Sequence, residues 1–222
     1  MPERIRKMIN IIFDMDGVIF DSESVCLRCW NDYAEKYGLK ETKKLFRQTL
    51  GTTIEKTKQI MQEHMPEDFS YEEFRKDTSA RFHEIEAQEG LPVKKGAREL
   101  LAWLKENGAH IGLASSTRTQ TVIKQLTHAG LTDYFDVIVG GDMAEKSKPE
   151  PDIYLETCKR MKIKPGDTYG IEDSFNGIKS LHKAGLHPIM VPDMLEPDEQ
   201  MYKLCEKIFD DLIEVREYLK KL

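Results

Sequence analysis

Two carboxylates one residue apart, Asp14 and Asp16, stand directly after a short apolar run, Met8-Ile-Asn-Ile-Ile-Phe13, and ahead of Gly17. In an extended backbone residues i and i+2 point to the same side, so both acids face one pocket. A second acidic pair, Glu172-Asp173, follows the run Thr168-Tyr-Gly-Ile171 and precedes Ser174. Between these motifs, His110-Ile-Gly-Leu-Ala114 ends in Ser115-Ser116-Thr117 ahead of a helical pattern. Hydroxyls and backbone N–H groups at a helix N-terminus bind anions, which makes Ser115 and Ser116 candidate anion contacts. Arg118, placed one turn into that helix, is a further candidate contact, though an arginine there more often sits on the surface. Lys148 lies in Lys146-Ser-Lys-Pro-Glu-Pro151. The residue before a proline is held extended, so Lys148 presents a fixed ammonium. Brought together, the four carboxylates repel one another and any phosphate. A hard divalent cation removes that conflict, since Mg²⁺ takes carboxylate, water and phosphate oxygens in an octahedron.

For these residues to meet, the apolar runs must lie side by side. Short, near-continuous apolar runs are what strands buried on both faces of a parallel sheet require. Asp136-Val-Ile-Val139 and Pro188-Ile-Met-Val191 are two more of them. Ala97, Leu100, Leu101 and Leu104 follow a helical stripe before Asn107-Gly108, and Tyr154, Thr157, Cys158 and Met161 repeat it before Pro165-Gly166. Helices and strands alternating from residue 96 onward predict an α/β fold, a doubly wound, Rossmann-like parallel sheet. Ligands of such sheets bind outside the carboxyl ends of the strands. The first strand breaks the rhythm. About 75 residues without a strand follow it, divided at Gly38, Gly51, Pro66 and Gly90-Leu91-Pro92. A structureless loop of that length does not suit a compact domain. The expectation is one α/β core, 1–20 and 92–222, with an α-helical domain, 21–91, inserted after its first strand.

The 222 residues include 33 basic and 39 acidic side chains, a net charge of −6, and are 40% apolar. This composition suits a soluble globular protein and argues against disorder. Without a basic block, nucleic acid is not an expected partner. A small phosphorylated metabolite answers to local charge and stays compatible. The apolar stretch after the basic start, Met1-Pro-Glu-Arg-Ile-Arg-Lys7, stops at Asp14, too short for a signal-peptide core. No run approaches the roughly 20 apolar residues of a membrane span. A cytoplasmic protein with no membrane partner is expected, with Cys26, Cys29, Cys158 and Cys205 reduced. Cys26-x-x-Cys29 has no second pair and shares a helical stripe with Trp30 and Tyr33, so packing is expected there, not zinc or redox chemistry. The histidines form no HxH or HExxH arrangement. A monomer is the default, because no coiled-coil seam or long apolar stripe is left unassigned.

With its motifs in order, the chain resembles a haloacid dehalogenase-like (HAD) phosphohydrolase of the β-phosphoglucomutase-like branch, whose helical cap is inserted after the first strand. The motifs are Phe13-Asp-Met-Asp-Gly-Val18 with Asp21-Ser-Glu23, Ala114-Ser-Ser116, Lys148-Pro-Glu-Pro-Asp-Ile-Tyr154 and Gly170-Ile-Glu-Asp-Ser-Phe-Asn-Gly-Ile178. The resemblance covers nearly the whole chain. It implies Asp14 as the nucleophile that forms an aspartyl-phosphate and Asp16 as general acid and base. It implies Ser115 as a phosphoryl contact and Lys148 as the cation that neutralises phosphoryl charge and orients Asp14. It further implies Mg²⁺ bound by Asp14, Asp173 and the backbone carbonyl of Asp16, with Glu172 supporting the metal directly or through water.

The implied activity is Mg²⁺-dependent hydrolysis of a small organic phosphate monoester, a sugar or nucleoside-type phosphate. A leaving halide needs no proton, so the second acid argues against dehalogenation. An isomerase of the β-phosphoglucomutase type would use the same Asp14 adduct. The mutase pattern places a histidine in the first cap helix and an arginine three residues after the cap glycine. Here those positions hold Cys26 and, after Gly51, Ile54, which favours hydrolysis. A phosphate-binding regulator without turnover is the third reading, disfavoured by intact Asp14, Asp16, Lys148 and Asp173.

Overall fold

The computed structural model describes residues 8–52 and 54–222; the Met1–Lys7 segment, with the signal-peptide reading drawn from it, and Thr53 lie outside the described residues. The chain runs β1 (Asn10–Phe13), α1 (Ser22–Asp32), α2 (Ala34–Tyr37), α3 (Thr42–Thr49), α4 (Ile54–His64), α5 (Tyr71–Glu89) and α6 (Ala97–Glu106). It continues with β2 (His110–Ala114), α7 (Thr119–His128), β3 (Val137–Val139), α8 (Asp152–Met161), β4 (Thr168–Glu172) and α9 (Phe175–Ala184). It ends with β5 (His187–Met190), α10 (Glu199–Leu204), β6 (Lys207–Ile208) and α11 (Leu212–Leu219).

Ile11, Ile12 and Phe13 are fully buried, as a strand with neighbours on both edges and helices on its faces demands. Ile12 pairs with Gly112 of β2 on one side and with Gly170 of β4 on the other. Among the described residues the strands form one six-stranded sheet, ordered β3-β2-β1-β4-β5-β6 and parallel throughout. Helix α8 packs on β2 and β3, α9 on β4 and β5, α6 on β2 and α7 on β3. This is the doubly wound α/β arrangement. Strand order reverses at β1, so the crevice that such a sheet offers to ligands opens where β1, β2 and β4 end.

The chain divides into two compact units, one of Met1–Phe20 with Val93–Leu222 and one of Asp21–Pro92. In the core unit the two crossing segments are tied together where they leave it. Phe20 and Val93 form an antiparallel bridge, and the Lys94 N–H donates to the Ile19 carbonyl at 2.9 Å.

The helical unit holds an aromatic centre of its own. Trp30 meets Phe46 and Phe74 edge-on, with ring centroids 5.1 and 5.0 Å apart. The buried face of α1 is Ser22, Val25, Cys29 and Trp30. The expected stripe is thus displaced at its ends: Cys26 is only half-buried, and Tyr33 lies beyond the last turn, at a break the periodicity did not reveal. Cys29 packs with Val25 and Ile85, and none of the four cysteines forms a disulfide. Gly38 ends α2 in the left-handed conformation, and Gly90 follows the last turn of α5. Among the described residues no helix is long and apolar enough to cross a membrane.

Candidate active site

Asp14 is the first residue after β1. Its N–H donates to the Ile171 carbonyl at 2.9 Å, which carries the β1–β4 ladder one step further and fixes where the acid stands. The Asp14 side chain is 8% exposed. The Lys148 ammonium reaches across from the β3–α8 loop and ion-pairs with Asp14 Oδ1 and with Glu172 Oε1, the latter at 2.7 Å. It also donates to the Ala114 carbonyl at 3.3 Å. Lys148 therefore ties together the ends of β1, β2 and β4.

Glu172 is almost wholly buried and fully engaged. Its Oε1 accepts from Lys148 and from the Tyr154 hydroxyl at 2.9 Å. Its Oε2 accepts from the Asp173 N–H, the Ser174 N–H and the Ser174 hydroxyl, each at 3.0 Å. A carboxylate offers about four lone-pair sites, and these five donors use them. Two glycines make room for the acids. A Cβ on Gly17, whose φ is +80°, would lie 2.2 Å from Asp173 Oδ2, and one on Gly177 would lie 1.7 Å from Glu172 Oε1.

Oxygens of Asp14, Glu172 and Asp173 lie within 4.8 Å of one another. A set of hard carboxylate oxygens this close fits a hard divalent cation. Burial pushes the Asp14 carboxyl up to about 8, against the pull of the Lys148 ammonium, and the Glu172 and Asp16 charges add to the rise. Burial alone would discharge Lys148, but the Asp14 and Glu172 carboxylates override it and hold the ammonium well above its usual range. Burial likewise opposes the charge on Glu172, and Lys148 outweighs it, leaving that acid below its usual range. Lys148 thus holds Glu172 below its usual range, while at Asp14 burial and the two neighbouring acids outweigh it.

Asp16 departs from the expected cluster. Its carboxylate is outside the close trio and instead accepts from the Thr117 hydroxyl at 3.1 Å. Ser115 is buried, its N–H donating to the Val139 carbonyl and its Oγ accepting from the Thr117 N–H, both at 3.0 Å. An accepting Oγ leaves its own O–H to donate elsewhere.

Ser116 and Arg118 do not join the cluster; both are exposed and border a surface depression with Gln120, Thr121, Gly141 and Asp142. Arg118 is not one turn into a helix, because α7 begins only at Thr119 and Arg118 precedes it in extended geometry. The N-terminus of α7 is not an open anion site either. The Asp142 carboxylate caps it, accepting from the Thr119 N–H and hydroxyl at 2.7 Å each. Thr117 and Tyr154 are site residues whose roles the motifs did not disclose. The adjacency of Thr117 to Ser115-Ser116 was the available signal for one, and the place of Tyr154 at the end of the lysine motif was the signal for the other.

A family model described as haloacid dehalogenase-like hydrolase matches residues 11–191. The chain is 34% identical over 185 residues to a phosphorylated carbohydrates phosphatase of Thermotoga maritima, covering 82% of this chain and 84% of that protein. It is 29% identical over 212 residues to hexitol phosphatase B of Escherichia coli K12, covering 95% of each. The crystal structure of a candidate β-phosphoglucomutase from Thermotoga maritima superposes with a TM-score of 0.81 at 29% identity, covering 97% of this chain and all of that one. With its sheet, its strand-end acids and these likenesses in agreement, the chain belongs to the haloacid dehalogenase-like hydrolases, as a phosphoric monoester hydrolase of their β-phosphoglucomutase-like branch.

Proposed function

We propose that the chain hydrolyses a small organic phosphate monoester, a sugar or nucleoside-type phosphate, with Mg²⁺ and through an aspartyl-phosphate on Asp14. The observation that carries this reading is the buried Lys148 ammonium held between Asp14 and Glu172 where the central strands end. It supplies a fixed positive charge beside a carboxylate nucleophile, as an incoming phosphoryl group requires. The phosphatases among the relatives support it.

A carboxylate oxygen of Asp14 attacks phosphorus, forming a new P–O bond as the ester P–O bond breaks and its electron pair leaves with the alcohol oxygen. Asp16, entering protonated, gives its proton to that oxygen. In the second half, Asp16 takes a proton from water as the water oxygen attacks phosphorus. The bond from Asp14 to phosphorus breaks, inorganic phosphate departs and both acids return to their starting forms. Ester and water have become alcohol and phosphate. Ser115 donates its hydroxyl to a phosphoryl oxygen, and Lys148 stays charged throughout.

Asp14, Asp173 and the main-chain carbonyl of Asp16 would hold Mg²⁺, which when bound offsets the charge of the acids and of the phosphoryl oxygens. Glu172 works behind this set. Its hydrogen bonds to Lys148, Tyr154, Asp173 and Ser174 orient the lysine and the β4–α9 turn, which supports the water-mediated form of the metal role that the family resemblance implies. The helical unit, Asp21–Pro92, is the cap domain in this reading.

Phosphate release from a panel of monoesters with Mg²⁺ tests the proposal, and a panel without any release overturns it. The likeness to a candidate β-phosphoglucomutase supports one second reading, isomerisation through the same Asp14 adduct. A coupled assay converting β-glucose 1-phosphate to glucose 6-phosphate would place it first.

A further inference from the structure

Asp16 must be aimed at the leaving oxygen in one half-reaction and at water in the next, and its carboxylate lies apart from the ion pairs that hold Asp14 and Glu172. We propose that Thr117 is the positioning residue for Asp16: its hydroxyl fixes one carboxylate oxygen and so aims the other at the reacting atoms. The inference rests on the reading of Asp16 as general acid and base.

The contact follows from the sheet. Strands β1 and β2 run in parallel register through Phe13 and Leu113, so the segments leaving them emerge side by side with Asp16 on one and Thr117 on the other. The Thr117 Oγ1 donates to Asp16 Oδ2 at 3.1 Å. The backbone of Thr117 is pinned from both sides. Its N–H donates to Ser115 Oγ at 3.0 Å, and its carbonyl accepts from the Gly141 N–H at 2.9 Å. Just beyond, Asp142 holds the N–H and hydroxyl of Thr119. A side chain on a turn so braced is aimed by the fold, whereas a hydroxyl that merely found the nearest acceptor would need no such bracing.

The chemical consequence concerns the proton. A hydrogen bond donated to Oδ2 holds that oxygen in place and leaves Oδ1 as the oxygen turned to the reacting atoms. In the first half-reaction the Oδ1–H bond breaks and the proton passes to the alcohol oxygen. In the second, the water proton arrives at Oδ1 while Oδ2 stays held. Ser115, Thr117 and Asp16 then form one line from the phosphoryl contact to the acid. The Ser115 hydroxyl oxygen fixes Thr117, and Thr117 fixes Asp16.

The test compares Thr117→Val, Thr117→Ser and Asp16→Ala with the unaltered enzyme on two substrates with Mg²⁺. One is p-nitrophenyl phosphate, whose leaving phenoxide needs no proton; the other is the alkyl monoester with the highest turnover in the panel, whose leaving alkoxide does. Thr117→Val is expected to lower kcat/KM, which reports the steps up to departure of the leaving group, roughly tenfold on the alkyl ester and less than about threefold on the aryl ester. Thr117→Ser is expected to recover most of the loss. Asp16→Ala is expected to show the same selectivity at larger amplitude.

An equal loss on both esters in Thr117→Val, no loss on the alkyl ester, or a loss that serine does not recover overturns the inference. If Asp16→Ala shows no selectivity, the reading of Asp16 as the acid fails and Thr117 with it. If Asp16→Ala is selective and Thr117→Val is not, only the Thr117 inference fails. Should thermal melting show Thr117→Val unfolded, Thr117→Ala is read by the same criteria.

Discussion

Charge is handled in opposite ways in the two units. In the helical unit, the buried Glu86 beside His83 excepted, the pairs are laid out in water: Arg28 with Glu89 at 2.8 Å, Lys58 with Glu72 at 2.5 Å, and Arg81 with Asp32 at 2.7 Å, all with partly or largely exposed side chains. Its centre is mainly aromatic. At the carboxyl edge of the core sheet the pattern inverts, with Lys148, Asp14 and Glu172 buried to 8%, 8% and 1% exposure. Exposed pairs add little to stability, whereas buried charges cost desolvation that their mutual attraction only partly offsets. The contrast teaches where stability and chemistry reside. The helical unit is held by ring packing and decorated with ions; the sheet edge tolerates an ionic cluster that stability alone would not select.

Five predictions test that contrast, beginning with the largest effect. Asp14→Asn is expected to reduce phosphate release by about 10⁴-fold or more while the circular dichroism spectrum stays that of the parent. Substantial residual turnover would remove Asp14 from the nucleophile's place. Lys148→Met leaves Asp14 and Glu172 buried without their cation, and denaturant unfolding is expected to show a loss of about 3–5 kcal/mol. A near-neutral result would mean that the cluster is far better hydrated than its burial indicates. In the other unit, Trp30→Ala removes the ring shared by Phe46 and Phe74 and is expected to cost about 3 kcal/mol, comparable to a buried charge but without touching the chemistry.

The fourth prediction concerns pH and should give a smaller change. Folding raises the Asp14 carboxyl to about 8, so between the ordinary carboxylate range and that value the unfolded chain has lost a proton that the folded chain keeps. The metal-free protein therefore loses stability as pH rises through this window. Melting scans at pH 6 and pH 8 are expected to show the decline, Mg²⁺ to reverse it at pH 8, and Asp14→Asn to lack it. At the far end of the contrast, Arg28→Ala in the helical unit is expected to leave the melting temperature without a measurable shift.

Much of the sheet edge was legible because its strands are buried on both faces. Continuous apolar runs that stop abruptly at acids or serines show both the strand and its end, which places Asp14, Ser115 and Asp173 at strand ends from the sequence alone. Partners drawn from distant parts of the chain were not legible. Tyr154 reads as one position in an apolar helical stripe, and its complete burial agrees, yet the stripe cannot say that its hydroxyl meets Glu172. The start of α7 was misplaced because its cap, Asp142, comes from the loop after β3, not from the local sequence. Strand β6 is two residues long and has no period to detect. On α1, the stripe expected through Cys26, Cys29, Trp30 and Tyr33 is shifted to Val25, Cys29 and Trp30 by packing against Ile85, a partner distant in the chain.

The position of β1 has a consequence for synthesis on the ribosome. Asn10–Phe13 is the earliest strand and lies between two later ones, His110–Ala114 and Thr168–Glu172. Its first neighbour follows about a hundred residues later, which at translation rates near 5–20 residues per second is a wait of several seconds. For that interval Ile11-Ile12-Phe13 is a nascent, unpaired and strongly apolar edge, the type of segment that recruits chaperones or other chains. The inserted helices thus lengthen the delay before β1 finds its place, and the yield of folded protein should depend on how quickly residues 93–172 follow the insert.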